Sequence, residues 1–362
     1  MLELRDPAGA FAAVEAYLWA EGFFDAATSS RVADLYFGYG LADPLRRAGG
    51  QAPPEPCREL PLAACRIRSG VNAGPATAGG TAATGAPPFT IGAWRRSWTD
   101  AGYAAAIAEV RAAIRRGDVY QVNLVQHLSA PFDGDPAGLA AALARLRPLC
   151  PRPLAGDGWA VVSASPEVFL RRRGDRVWTL PIKGTRPTGE EEGLRGAEKD
   201  GAEHMMIVDL ERNDLSRVCE PGSVCWPELM AQRELAGGSH LVSTVEGRLR
   251  PGVGLADLLE ATFPGGSVTG APKIAALDII AALEPVGRGA SMGAIGTLHP
   301  NGDLDLALTI RTFAVADGRI HLWVGGGIVW DSVPADEIEE SWVKARPLCR
   351  AIGAPIEEGA FA

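Results

Sequence analysis

The sequence predicts an α+β protein dominated by antiparallel sheet, on three observations. Short runs rich in Val, Ile and Trp, bounded by Gly or Asn-Gly turns, follow one another in hairpin-like succession. Segments of helical periodicity are interspersed among them. A length of 362 residues with 47% hydrophobic content is ample for a sizeable core, in one large domain or two small ones.

Taken in order, residues 1–90 read as a short N-terminal region and residues 91–362 as the main body. The stretch 69–88 is small, uncharged and without apolar period, which predicts a flexible linker between them. Tyr103, Ile107, Val110 and Ile114 recur at helical spacing between Asp100 and Gly117, so an amphipathic helix is expected there. A strand follows, with Tyr120, Val122 and Leu124 on one face and Gln121, Asn123 and Val125 on the other. Further strands are expected at 159–164, 167–172, 176–182, 292–298, 304–313 and 319–329. Helices are expected near 196–212, 254–262, 272–283 and 335–346.

Composition excludes several function classes. A net charge of −9 argues against a nucleic-acid partner, which usually meets a basic face. The longest apolar runs are short and broken, so no membrane span is expected, and the N-terminus lacks the order of a signal peptide. A cytoplasmic location follows. The six cysteines form no C-x-x-C pair and no zinc spacing with histidine, so buried reduced thiols are expected.

Several residues stand out as chemistry. Lys183, in Pro-Ile-Lys-Gly-Thr-Arg-Pro (181–187), ends an apolar strand where partial desolvation would make an amine nucleophilic; a solvated strand-end lysine is the plain alternative. Glu167 sits in an apolar setting that would raise its pKa and suit it to proton donation, or it is an exposed strand-start glutamate. Asp200 with Glu203, and Glu337 with Glu340, each lie three apart on one helical face. Two such faces could converge on one cation, and magnesium suits an all-oxygen set; a solvated acidic face is the alternative for either pair. Gly325, Gly326 and Gly327 end a strand where bare backbone can approach an anion, or where a bulge or close sheet crossing needs glycine. The loop Gly265–Lys273 is not a P-loop, since Ala271-Pro272 intervene before Lys273 and no Ser or Thr follows it.

Five ordered blocks, at 181–187, 202–214, 263–273, 310–312 and 325–329, together resemble the chorismate-utilising enzymes: the anthranilate, aminodeoxychorismate, isochorismate and salicylate synthases. The resemblance spans roughly residues 97–353 and does not cover the first 90. It implies two large packed, mainly antiparallel sheets with outer helices and an active site in the cleft between them. It also implies a catalytic domain at 91–362 that binds chorismate and Mg²⁺. By resemblance Glu203 and Glu340 hold the metal, with Asp200 and Glu337 as outer, water-linked partners. Arg311 and the segment Gly325–Gly327 take a substrate carboxylate, while His240, Thr269 and Lys273 line the pocket. Glu167 is the general acid.

Two positions separate reactions within the family. Gln121 stands where water-activating members carry a lysine base, and a glutamine cannot take up a proton at neutral pH. Lys183 stands where anthranilate synthases have alanine. The pair matches the aminodeoxychorismate synthases, component I, in which a lysine adds at C2 of chorismate before ammonia adds at C4. The chain has no glutaminase constellation, so a glutamine amidotransferase subunit is the expected ammonia source. The rival readings are an anthranilate synthase component and a non-catalytic subunit that has kept the fold.

Overall fold

A computed structural model describes residues 1–25, 30–48, 51–69, 86–187, 198–235 and 238–356. For 184–187, 198–200, 202, 234–235 and 238–239 it describes the backbone alone. Most of the expected linker, 70–85, lies outside the described residues.

Two antiparallel sheets carry the fold. The first runs Leu2–Leu4, Ala63–Ser69, Arg31–Phe37, Ala294–Leu298, Leu304–Leu308, Val168–Arg173, Arg176–Leu180, Gly238–Arg248 and Ile182–Pro187, with Cys225–Leu235 also on Gly238–Arg248. The second runs Gly270–Ala271, Gln121–Gly134, Arg319–Ile328, Thr312–Ala316, Trp159–Ser163 and Leu154–Ala155, with Phe89–Ile91 and Arg95–Arg96 also on Gln121–Gly134. Leu35, Phe37, Ile295, Leu298 and Leu306 of the first sheet share one core with Val122, Leu124, Val161 and Trp323 of the second. The other face of the second sheet, through Leu128, Val162, Phe313 and Leu322, packs with Leu139 and Leu143 of helix Pro136–Leu143 and with Trp342, Ala345 and Leu348 of helix Pro334–Ala351. The α+β class with two packed sheets and outer helices is therefore the architecture present.

Local rules account for the clearest helix. Thr99 caps Asp100–Arg116 by accepting the Gly102 N–H, and Gly117 ends it at φ 82°, a left-handed conformation that glycine adopts freely. Tyr103, Ile107 and Val110 are fully buried on its inner face. The first sheet also crosses the boundary expected near residue 90, because Arg31–Phe37 pairs with Ala294–Leu298 in unbroken register.

Two expected strands are each broken in two. The run 176–182 divides at Pro181, which offers no N–H to a ladder. The run 304–313 divides before Thr312, where Arg311 takes φ 50° and the chain leaves one sheet for the other. All six cysteines are free thiols; Cys225 is exposed and Cys150 partly so, while the other four are buried. No described helix is long and apolar enough to cross a membrane.

Candidate active site

The chain passes between the sheets twice at neighbouring points. Residues 164–167 lead from strand Trp159–Ser163 in the second sheet to Val168–Arg173 in the first, and residues 309–311 lead back from Leu304–Leu308 to Thr312–Ala316. The crossings are tied together, since Ala164 N–H donates to the Arg311 carbonyl at 2.9 Å and Leu308 N–H to the Glu167 carbonyl at 3.0 Å. Glu167 and Arg311 thus stand side by side in the inter-sheet gap. Arg311 takes φ 50°, a strained state for a non-glycine residue that the two crossings hold in place.

Glu167 is 5% exposed. The Ser267 hydroxyl donates to its Oε1 at 2.8 Å, and the Ile182 N–H approaches the same oxygen at 3.5 Å. Burial lifts its pKa above the ordinary carboxylate range, opposed by the Ser267 bond, Lys183, Ile182 and Arg311. That is the environment a proton donor needs. Lys183 follows on the edge strand opposite Leu241; its side chain is 15% exposed and its Nζ lies 3.9 Å from Glu203 Oε2. Burial in the protein lowers the pKa of the Arg311 cation, while Glu167 supports the charge. Glu167, Lys183, Arg311 and Glu203 therefore form one electrostatic group. His240 is buried beside Leu241.

A second group lies on strand Arg319–Ile328. Gly325, Gly326 and Gly327 pair with Val125, Leu124 and Asn123, whereas strand Thr312–Ala316 follows on the other side only as far as Leu322. One edge of the glycine segment is thus left outside the ladder, as an anion cradle requires. A Cβ on Gly326 would lie 3.3 Å from Glu340 Oε1, 3.5 Å from Glu337 Oε2 and 3.5 Å from Lys344 Nζ. Lys344 donates to Glu340 at 2.6 Å and to the Gly325 carbonyl at 2.7 Å. At Gly327 a Cβ would collide with the amide of Gln121, which is buried beneath it with an Oε1 that has no hydrogen-bond partner among the described residues.

These glycines separate packing from chemistry. Gly325→Ala drives its methyl into the Leu124 carbonyl oxygen, so a loss of about 1–3 kcal/mol in denaturant unfolding is expected. Gly326→Ala meets only side-chain ends, at 3.3 to 3.5 Å. It should keep stability within about 1 kcal/mol and instead weaken the binding of an anionic ligand.

Two expected pocket residues make their hydrogen bonds within the fold. Thr269 turns its hydroxyl back on the carbonyls of Gly265 and Gly266, at 3.0 and 3.3 Å. Lys273 is held by Asp214 at 2.6 Å and by the Thr262 carbonyl at 3.0 Å. The Asp200 side chain lies outside the described residues. Among the described residues, no group of three or more His, Cys, Asp or Glu side chains is close enough to hold a metal ion. Glu203 stands with Lys183, and Glu337 with Glu340 stands over Gly326. Ser267, Lys344, Glu211 and His204 belong to the site without having been singled out from the sequence. His204 bonds Ser243 Oγ at 2.5 Å, and burial and then Lys183 push its pKa down to about 4, so its ring is neutral.

The model of the chorismate binding enzyme family matches residues 66–350. An anthranilate synthase component 1 from Thermus thermophilus is 45% identical over 283 residues, 74% of this chain and 61% of the relative. An aminodeoxychorismate synthase component 1 from Klebsiella aerogenes is 42% identical over 276 residues, 73% of this chain and 60% of the relative. The chain thus spans about 60% of the length of these two curated relatives. The crystal structure of anthranilate synthase component I from Streptococcus pneumoniae superposes with a TM-score of 0.73 at 28% identity, over 87% of this chain and 80% of that one. With the matched region embracing both sheet crossings and the glycine strand, this chain belongs to the chorismate binding enzyme family.

Proposed function

We propose that the chain converts chorismate and ammonia to 4-amino-4-deoxychorismate, as an aminodeoxychorismate synthase component I. The observation that carries this reading is Lys183, largely buried and 3.9 Å from Glu203, in the electrostatic group of Glu167. Relatives named for anthranilate and for aminodeoxychorismate synthesis match at similar identity, 45% and 42%. The choice of product therefore rests on Lys183 and Gln121.

In the proposed sequence Arg311 and the open edge at Gly325–Gly327 bind the substrate's carboxylates. The Lys183 amine adds at C2, both conjugated ring double bonds shift (C1=C2 to C1=C6 and C5=C6 to C4=C5), and the C4 hydroxyl leaves, taking the Glu167 proton to depart as water. Ammonia then adds at C4, both double bonds shift back, the lysine amine is expelled, and the ammonium formed at C4 returns a proton to Glu167. Gln121 offers no base for water at this step. Ammonia would come from a glutamine amidotransferase subunit, and the product suits folate synthesis by way of 4-aminobenzoate.

Magnesium is part of the proposal. Glu203, Glu337 and Glu340 offer only carboxylate oxygens, and Gly326 leaves open the space that a side chain would fill beside two of them. All-oxygen donors of this kind are what a hard divalent cation takes, and such an ion, drawing these carboxylates together with the substrate, would supply charge neutralisation for a substrate carboxylate when bound.

The test is chorismate consumption by purified protein in Mg²⁺ with and without ammonium. Turnover should need ammonium and fall at least about a hundredfold in excess chelator or in Glu203→Ala, roughly 2.7 kcal/mol in the barrier. Ammonium-independent conversion to isochorismate would overturn the reading.

A further inference from the structure

Gln121 and Asn123 each bury a carboxamide oxygen that meets no donor. The two residues are 1% and 6% exposed, and neither Gln121 Oε1 nor Asn123 Oδ1 has a hydrogen-bond partner among the described residues. They stand two apart in strand Gln121–Gly134, so both side chains leave the same face of the sheet. Asn123 pairs directly with Gly327, and the Gln121 amide lies where a Gly327 Cβ would be. The bare glycine thus leaves room for the Gln121 carboxamide beside Asn123. A buried acceptor without a donor is costly, so two on one face mark a place for a small ligand that brings N–H or O–H groups.

Backbone bonds fix this strand against the turn that holds the proposed acid. The Asn123 N–H donates to the Thr269 carbonyl at 2.7 Å, and Arg288 bridges the carbonyls of Val268 and Asn123 at 2.8 and 2.7 Å. Ser267 of the same turn donates its hydroxyl to Glu167. The two amide oxygens therefore border both the Gly325–Gly327 cradle and the turn behind Glu167.

We propose that Gln121 Oε1 and Asn123 Oδ1 form the ammonia site of the reaction, accepting two N–H bonds from ammonia and leaving its lone pair free to attack. The proposal rests on the reading of the chain as an ammonia-using synthase. Ammonia needs no base before it attacks. As its lone pair forms the bond to C4, the displaced electrons pass through the ring and leave with the Lys183 amine, and the nitrogen becomes an ammonium. The two amide dipoles stabilise the charge that develops there, and the third N–H is left to return the proton to Glu167. Water in the same place would become an oxonium with both protons on amide oxygens that do not take them up, so its attack stalls.

The test measures KM for ammonium and for chorismate in the unmodified chain, Gln121→Met, Asn123→Leu and Asn123→Asp. Methionine and leucine nearly keep the volume and remove the acceptor. Each should raise the ammonium KM about tenfold and leave the chorismate KM within about threefold. Asn123→Asp keeps an acceptor oxygen and should not raise the ammonium KM by more than about threefold. A purely structural role would lower the thermal midpoint of the variants and leave their ammonium KM in place. Each variant that folds decides by itself. An unchanged ammonium KM in Gln121→Met or Asn123→Leu, with the unmodified chain dependent on ammonium, overturns the ammonia site alone. Turnover of chorismate by the unmodified chain without ammonium overturns the reading of the reaction and the site with it.

Discussion

Lys183→Ala should abolish formation of the 4-amino product and slow chorismate consumption about a thousandfold, equivalent to roughly 4 kcal/mol in the barrier. Without the amine there is no addition at C2 to direct ammonia to C4. The residual route is direct attack by ammonia at C2, which leads toward the 2-amino isomer or anthranilate. A lysine that merely pairs with Glu203, 3.9 Å away, would predict something different: Lys183→Arg would keep the charge, substantial activity and the 4-amino product. Under the nucleophilic role that variant is as inactive as alanine, because a guanidinium does not shed its proton. Product analysis of both variants by mass spectrometry separates the two cases.

The largest loss of stability is expected at the buried pair Arg288 and Glu284, whose side chains are 1% and 2% exposed. Arg288 donates to both Glu284 oxygens, at 2.9 and 2.7 Å, and to the carbonyls of Val268 and Asn123 at 2.8 and 2.7 Å. It thereby ties the turn preceding Thr269 to the strand that begins at Gln121. Glu284→Ala leaves an arginine that cannot neutralise itself, so a loss of about 3–5 kcal/mol is expected in denaturant unfolding. Replacing both residues, Glu284→Ala with Arg288→Leu, should recover more than half of that loss, since the stranded charge is then gone. A single Glu284→Ala costing under about 1 kcal/mol would show that the pair contributes little.

What could be read from the sequence follows the range of the forces involved. Helix Asp100–Arg116 declares itself through Tyr103, Ile107, Val110 and its two caps, all local signals. Strand Arg31–Phe37 does not, because its place beside Ala294–Leu298 depends on pairing across more than 200 residues of chain, and Ala63–Ser69 joins the sheet by way of it. The break at Arg311 was hidden for a related reason: Leu304 to Phe313 reads as one apolar strand, and only the change of sheet shows why it turns. The burial of Glu167 and the partial burial of Lys183 were legible from their apolar settings. Ser267 and Glu211 were not, since a serine in a glycine-rich turn and a glutamate in a charged helix look like surface residues until packing encloses them. Thr269 and Lys273 show the converse, as polar residues of a motif whose hydrogen bonds close on the fold itself.

The most direct measurement is the identity of the product that the purified chain makes from chorismate, Mg²⁺ and ammonium, read by mass and ultraviolet spectrum. With Lys183 as nucleophile and Gln121 in place of a water-activating base, 4-amino-4-deoxychorismate should be the product. Anthranilate formed by the unmodified chain would contradict the role assigned to Lys183.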